Sequence, residues 1–213
     1  MVVSQSRSGG AGKSTLLKSL SEVCDFLRND EREIVTAKQP YYPGFLENII
    51  KTDSPDNEAY WFMRDREKML PWIEETLRNG DHFLLDRYYH STCVYQYFAS
   101  IYPMLPYYGL TLGFKAHEGI IRQPDLTILL LIDEEEQKKR LGNRGLDDLS
   151  KFENNVAFRE KVREGYSLMD GNPNFSECSI IDVNGKTLEE TTQIAKEMIM
   201  EKWKELQGVV NGS

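Results

Sequence analysis

Residues 6 to 15 of the 213-residue chain read SRSGGAGKST, and this stretch limits the folds open to it more than any other. Glycines at positions 9, 10 and 12 allow backbone N–H groups to approach an anion, and Lys13 and the Ser14 hydroxyl follow at once. That order is the phosphate-cradling half of the pattern G-x-x-x-x-G-K-[ST], which has glycine where this chain has Arg7. Such a loop works between the end of a strand and the start of a helix whose amino terminus faces the phosphates. The flanks meet the requirement. MVVSQS (1–6) reads as a strand, polar at its end, and 13–28 as a helix with Leu16, Leu17, Leu20, Val23 and Leu27 on one face. If the corner demanded a left-handed backbone at Arg7, the side chain would cost about 1–2 kcal/mol.

The remaining chain alternates short apolar runs with longer amphipathic ones. EIVTAK (33–38), HFLLD (82–86), DLTILLLID (125–133) and CSIIDV (178–183) read as strands. Helices are predicted over 56–79, kinked by Pro71 and ended by Gly80, and near 88–99, 111–121, 134–143, 152–169 and 187–205. Nearly continuous apolar strands fit a parallel sheet covered on both faces, so the expected fold is a doubly wound α/β sheet. Ligands of such sheets bind at the carboxyl ends of the strands, where three of these runs carry an acid.

No linker-like segment or internal repeat divides the chain, and its length suits a single domain with a flap. A net charge of -8 disfavours a nucleic-acid polymer as partner. No apolar run is long enough to cross a bilayer, and the first residues lack the pattern of a secretory signal, so the expectation is a cytoplasmic protein with no membrane partner. Cys24, Cys93 and Cys178 lack zinc-ligand spacing and read as reduced thiols.

Residue chemistry assigns three regions. In the loop, Gly10, Ala11 and Gly12 offer amides, Lys13 reaches terminal phosphates, and Ser14 offers a ligand to Mg2+. Asp86, ending its strand, suits the hydration shell of that ion, and Arg87 a neighbouring phosphate. The stretch RLGNRGLDDLSKFE (140–153) has the composition of a flap that brings Arg140, Arg144 or Lys151 against a migrating phosphoryl group.

DRYYHSTCVYQ (86–96), QPDLTILLLID (123–133), KFENNVAFREKVREGY (151–166) and IIDVNGKTLEE (180–190), following the loop in this order, resemble the thymidylate kinase family over about residues 8 to 200. The resemblance implies a P-loop NTPase-type sheet in the order 2-3-1-4-5, a LID at about 140–153, a homodimer, and Mg2+- and ATP-dependent conversion of dTMP to dTDP. It places Gly10, Ala11, Gly12, Lys13, Ser14, Thr15 and Lys186 against ATP, with Lys13, Arg87, Arg140 and Arg144 as catalytic cations. The acceptor would meet Lys38, Phe62, Arg66, Arg87, Ser91, Thr92 and Tyr95, and Mg2+ would meet Ser14 and Asp86. Phe62 and Arg66, four residues apart, share a helix face, which lets one stack on a ring while the other meets the phosphate of the same nucleotide, and Phe62 serves either as that stacking ring or as core. The family usually has Glu-Gly before the loop and an acid within it, where this chain has Ser6, Arg7 and Gly9. Two alternatives stand beside this reading: a deoxynucleoside kinase, and a P-loop protein that binds nucleotide without transferring phosphate.

Overall fold

The computed structural model describes residues 1–7, 13–27, 32–141 and 155–208. Five strands, β1 (Val2–Arg7), β2 (Ile34–Lys38), β3 (His82–Asp86), β4 (Leu126–Leu131) and β5 (Cys178–Asp182), form one parallel sheet in the order 2-3-1-4-5. The expected doubly wound sheet is therefore present in its expected order. Register brings three residues to one rim: Gln5 of β1 is opposite Asp86 of β3, which is opposite Lys38 of β2.

Alternation along each strand feeds two separate cores. Val2, Phe83, Leu85 and Leu129 pack on one face with Met69, Ile73, Val94, Phe98 and Tyr166. Val3, Leu84, Ile128 and Leu130 pack on the other with Leu16, Leu20, Ala195 and Ile199. Each buried aliphatic side chain contributes about 1.5–3 kcal/mol, so the sheet is the rigid element to which the site is fixed.

Helix α1 (Lys13–Val23) follows the loop and is shorter than the predicted 13–28, because the chain tightens into a 3-10 turn at Asp25–Leu27 that turns Leu27 inward. Helix α2 (Pro43–Lys51) has no counterpart among the predicted elements. Its cap position is Tyr42, which makes no side-chain cap bond, and Gly44 weakens its first turn, so Pro43 at the first position is its one start signal. Helix α3 (Pro55–Arg78) runs through Pro71 and is closed by Gly80 at φ 88°. The predicted helix after β3 divides into one α turn, α4 (Tyr89–Thr92), and a π-helix over Cys93–Ile101. Helix α5 (Pro106–His117) starts earlier than the predicted 111–121, with Pro106 in its first turn. A Cβ on Gly113 would come within 3.0 Å of the Cys93 Cα, so glycine permits the close packing of α5 on the π-helix.

Helices α6 (Glu134–Leu141), α7 (Val156–Ser167) and α8 (Leu188–Leu206) complete the wrap. Asn155 caps α7 by accepting from the Phe158 amide at 3.1 Å. Thr187 and Glu190 cap α8 reciprocally, an arrangement worth about 1 kcal/mol. The expected LID lies outside the described residues except for Arg140 and Leu141, as do Gly10, Ala11, Gly12, Arg144 and Lys151. No helix among the described residues is long and apolar enough to cross a membrane.

Candidate active site

A pocket of about 760 Å³ opens beside the carboxyl ends of β2 and β3. Seven residues that sequence reasoning assigned to the acceptor, Lys38, Phe62, Arg66, Arg87, Ser91, Thr92 and Tyr95, all line it. Helix α3 supplies one wall with a single face, since Glu58, Phe62 and Arg66 follow at i, i+4 and i+8. Phe62 is half-buried on this wall and its ring lies 5.8 Å below the Arg66 guanidinium carbon, so it is a pocket side chain and not core.

Arg66 is 1 % exposed, yet its three partners are neutral. Nη1 donates to Gln39 Oε1 at 2.8 Å, while Nη2 donates to Thr92 Oγ1 at 2.6 Å and to His117 Nε2 at 2.8 Å. His117 Nδ1 lies 2.6 Å from the Gly113 carbonyl, which can only accept. The imidazole is thus the neutral Nδ1–H tautomer, with its lone pair on the arginine. Burial, and after it the Arg66 charge, holds His117 well below the usual histidine range. Burial also lowers Arg66 itself to about 10. A cation withdrawn from water among neutral dipoles favours whatever electron-rich group enters the pocket.

Asp65 fixes the adjoining segment. Its carboxylate accepts from the backbone amides of Tyr41 at 3.0 Å and Tyr42 at 2.9 Å, which anchors the connection from β2 to α2 on α3. Burial raises Asp65 above the usual carboxylate range against the pull of these amides. Thr92 and Ser91, expected on the base, have hydroxyls already engaged: Thr92 accepts from Arg66, and Ser91 accepts from the Tyr166 hydroxyl at 3.1 Å. Tyr95 carries the Arg87 guanidinium 5.2 Å above its ring.

The three strand-end acids part company in the structure. Asp133 accepts from the Glu136 amide at 2.7 Å and starts α6, and Asp182 accepts from the Asn184 amide at 2.9 Å in a turn. Asp86 is 1 % exposed, and its Oδ2 has no hydrogen-bond partner among the described residues. A buried carboxylate oxygen left open at a strand end fits a hydrated divalent cation. The next residue, Arg87, has φ 67°, the one left-handed non-glycine backbone among the described residues. Such a conformation costs about 1–3 kcal/mol and marks a site whose side-chain direction is imposed. Arg7, by contrast, closes β1 opposite Leu130 in ordinary extended backbone, so the strain considered for that position is absent.

On the far side of β1, Lys186 and Arg140 line a smaller cavity of about 270 Å³ with Leu16, Glu136, Thr187 and Leu188. Arg140 is committed to its neighbours. Its Nε donates to Glu136 Oε1 at 2.7 Å, and Nη2 donates to the carbonyls of Val183 at 2.8 Å and Lys186 at 3.1 Å. Arg140 thus clamps the β5–α8 loop at the edge of the stretch that reads as a flap in the sequence. Lys13, Ser14 and Thr15 begin α1, directly after the loop.

Sequence reasoning missed Glu58, Gln96 and His117, together with Leu46, Ile49 and Ile50 of α2 at the mouth of the acceptor pocket. Glu58 was findable, one helical turn ahead of Phe62. His117 was not, because it lies 51 residues from Arg66.

A pocket lined by Phe62 and buried Arg66 at one end of the strands, a phosphate-loop sequence after β1 and the open acid Asp86 beside them are the features of a P-loop nucleotide kinase. The thymidylate kinase family model matches residues 9–194. A thymidylate kinase from Staphylococcus epidermidis is 34% identical over 205 residues, covering 86% of this chain and 91% of that protein. A probable thymidylate kinase from Archaeoglobus fulgidus is 29% identical over 198 residues, covering 89% and 90%. The solved structure of thymidylate kinase from Candida albicans shares the fold, with a TM-score of 0.72 at 23% identity over 94% of this chain and 91% of that one. The chain belongs to the thymidylate kinase family. It is accordingly an ATP-dependent phosphotransferase of the nucleoside monophosphate kinase class.

Proposed function

We propose that this protein transfers the γ-phosphate of ATP to dTMP, giving ADP and dTDP. The observation that carries the reading is the convergence of Lys38, Phe62, Arg66, Arg87 and Tyr95 on one 760 Å³ pocket, inside a chain of this family. Lys38 and Arg87 stand at the strand ends and take the acceptor phosphate. Phe62 stacks on the base, Arg66 meets a base carbonyl, and Tyr95 lies against the sugar. The donor triphosphate lies over the loop at residues 9–12 and the start of α1, with Lys186 and the Arg140-clamped loop beside its nucleoside end.

The second pKa of a phosphate monoester is about 6, so the attacking oxygen is already ionised near neutral pH and no general base is needed. A new bond forms between that oxygen and the γ-phosphorus as the bond to the ADP oxygen breaks. The chain's task is alignment and charge: Lys13 and Arg87 hold the donor and acceptor phosphates in line, and Arg144 of the LID supplies further positive charge. Asp86 and Ser14 would hold Mg2+, which when bound offsets negative charge on the triphosphate. Closure of the LID over residues 140–153 excludes water and suppresses hydrolysis of ATP. The protein acts as one domain, as a homodimer and in the cytoplasm.

A coupled assay of ADP release with Mg-ATP and a panel of monophosphates and thymidine tests this. Turnover is expected with dTMP and not with thymidine, and Lys13→Ala should lower it at least about a hundredfold with an unchanged circular dichroism spectrum. Equal turnover by Lys13→Ala, or phosphorylation of thymidine in preference to dTMP, would refute the assignment.

A further inference from the structure

Asp65 of α3 is 0 % exposed, and burying an ionised carboxylate is costly unless polar groups close around it. Its hydrogen-bond partners among the described residues all come from one short stretch of chain. Oδ1 accepts from the Tyr41 amide at 3.0 Å and the Tyr42 amide at 2.9 Å, while Oδ2 accepts from the Tyr41 amide at 3.1 Å and from Gln39 Nε2 at 3.4 Å. Tyr41 and Tyr42 lie between β2 and α2 and belong to neither. On the strand side the chain is fixed by the Gln39 amide, which donates to the Asp86 carbonyl at 3.1 Å. On the helix side α2 has no buried residue and gives little hold. Lys38 stands immediately before this stretch, exposed at the end of β2, and lines the acceptor pocket. A lysine carries a point charge on a flexible stem, so the backbone beneath it decides which region that charge can reach.

We propose that Asp65 is a positioning residue for the acceptor phosphate: by clamping residues 39–42 to α3, its carboxylate holds Lys38 where the ammonium meets that phosphate. The proposal rests on the kinase reading for the identity of the ligand. Phe62 lies one helical turn before Asp65 on the same helix, so α3 sets both the ring that faces the base and the place of the lysine at the other end. Without the carboxylate, the amides of Tyr41 and Tyr42 turn to water and the connection is free to leave α3. The affinity that a nucleotide draws from its phosphate then falls, while the affinity of the nucleoside part stays.

Calorimetric titration with dTMP and with thymidine measures the phosphate's share as the ratio of the two dissociation constants. The native protein should bind dTMP at least about tenfold more tightly than thymidine. Asp65→Asn keeps the volume but leaves one acceptor oxygen and turns an N–H2 toward donors, so it should shrink that ratio at least about threefold with little change for thymidine. In a Lys38→Ala background, where Arg87 alone meets the phosphate, the same change should alter the ratio by less than about 1.5-fold, because the two residues act through one contact. A residue that merely supports the fold would weaken dTMP and thymidine alike and would ignore the presence of Lys38. Hydrogen exchange reads the clamp in the native protein itself: the Tyr41 and Tyr42 amides should be protected although they lie outside helix and strand. Unprotected amides, a native ratio near one, a ratio unchanged in Asp65→Asn, equal weakening of both ligands, or an equal effect with and without Lys38 would each overturn the proposal. Lack of phosphate transfer from ATP to dTMP would instead remove the kinase reading, while the binding ratios would still report on Asp65.

Discussion

His90 offers a test in which the magnitude comes from burial. The imidazole is 0 % exposed, lies 3.9 Å from the Tyr89 ring centre, and has Nε2 at 3.4 Å from Thr127 Oγ1 and 3.3 Å from Ser176 Oγ. Its Nδ1 has no partner among the described residues. Burial first, then the charge of Arg66, pushes its pKa down to about 3. In the unfolded chain the same group titrates near 6.5, so below that pH the unfolded state binds a proton that the native state refuses. Stability must therefore fall with acid from about pH 6.5 downward, by up to about 1.4 kcal/mol per pH unit for this group. Between pH 7 and pH 5 the loss integrates to about 2 kcal/mol, a substantial part of a typical 5–15 kcal/mol. Urea unfolding at the two pH values should show the native protein losing about 2 kcal/mol more than His90→Gln. The constant cost of the substitution cancels in that comparison. Equal losses in the two proteins would refute the claim that His90 is held neutral by burial. His117, lowered for the same reason, contributes with the same sign in both proteins.

Phe62→Ala should raise KM for dTMP by about 5- to 150-fold, the worth of one stacking contact, and leave KM for ATP unchanged; equal effects on both constants would return Phe62 to a purely structural role. Asp86→Asn should weaken activation by magnesium, read as a rise of at least about tenfold in the half-saturating Mg2+ concentration, because the open Oδ2 loses its charge. An unchanged magnesium titration would show that this oxygen has another purpose.

The frame of the molecule was legible because it rests on pattern. Apolar runs of the right length marked the other strands, the mixed β1 was marked by the glycine-rich loop that follows it, and that loop placed the site at one rim of the sheet. The chemistry at that rim was only partly legible. Asp86, Asp133 and Asp182 look alike at the ends of their runs, and only the fold shows that two cap neighbouring turns while the first stays open. The bulky residue at position 7 sits in unstrained backbone, while the strain falls on Arg87, and no arginine announces a positive φ in sequence. Arg140 reads as a flap cation by composition, yet the carbonyls that hold it come from 43 and 46 residues away. Helix α2 escaped because its cap position holds a tyrosine, and the π-helix because nine residues are too few for its longer period to stand out. The family resemblance set Phe62 and Arg66 beside the acceptor nucleotide, but not the neutral partners that hold Arg66.

Helix α2 has no fully buried residue; Ile50 is 70 % exposed, and its aromatic Phe45 rests on Trp61 of α3 at 5.8 Å between ring centres. So small an apolar anchorage gives it little resistance to local opening, and its amides should exchange with solvent well before those of the sheet. Because Leu46, Ile49 and Ile50 border the acceptor pocket, local opening of this one short helix would widen the mouth of the pocket while leaving the sheet intact. Access to the pocket would then be set by the loose anchorage of α2 rather than by the stability of the fold as a whole.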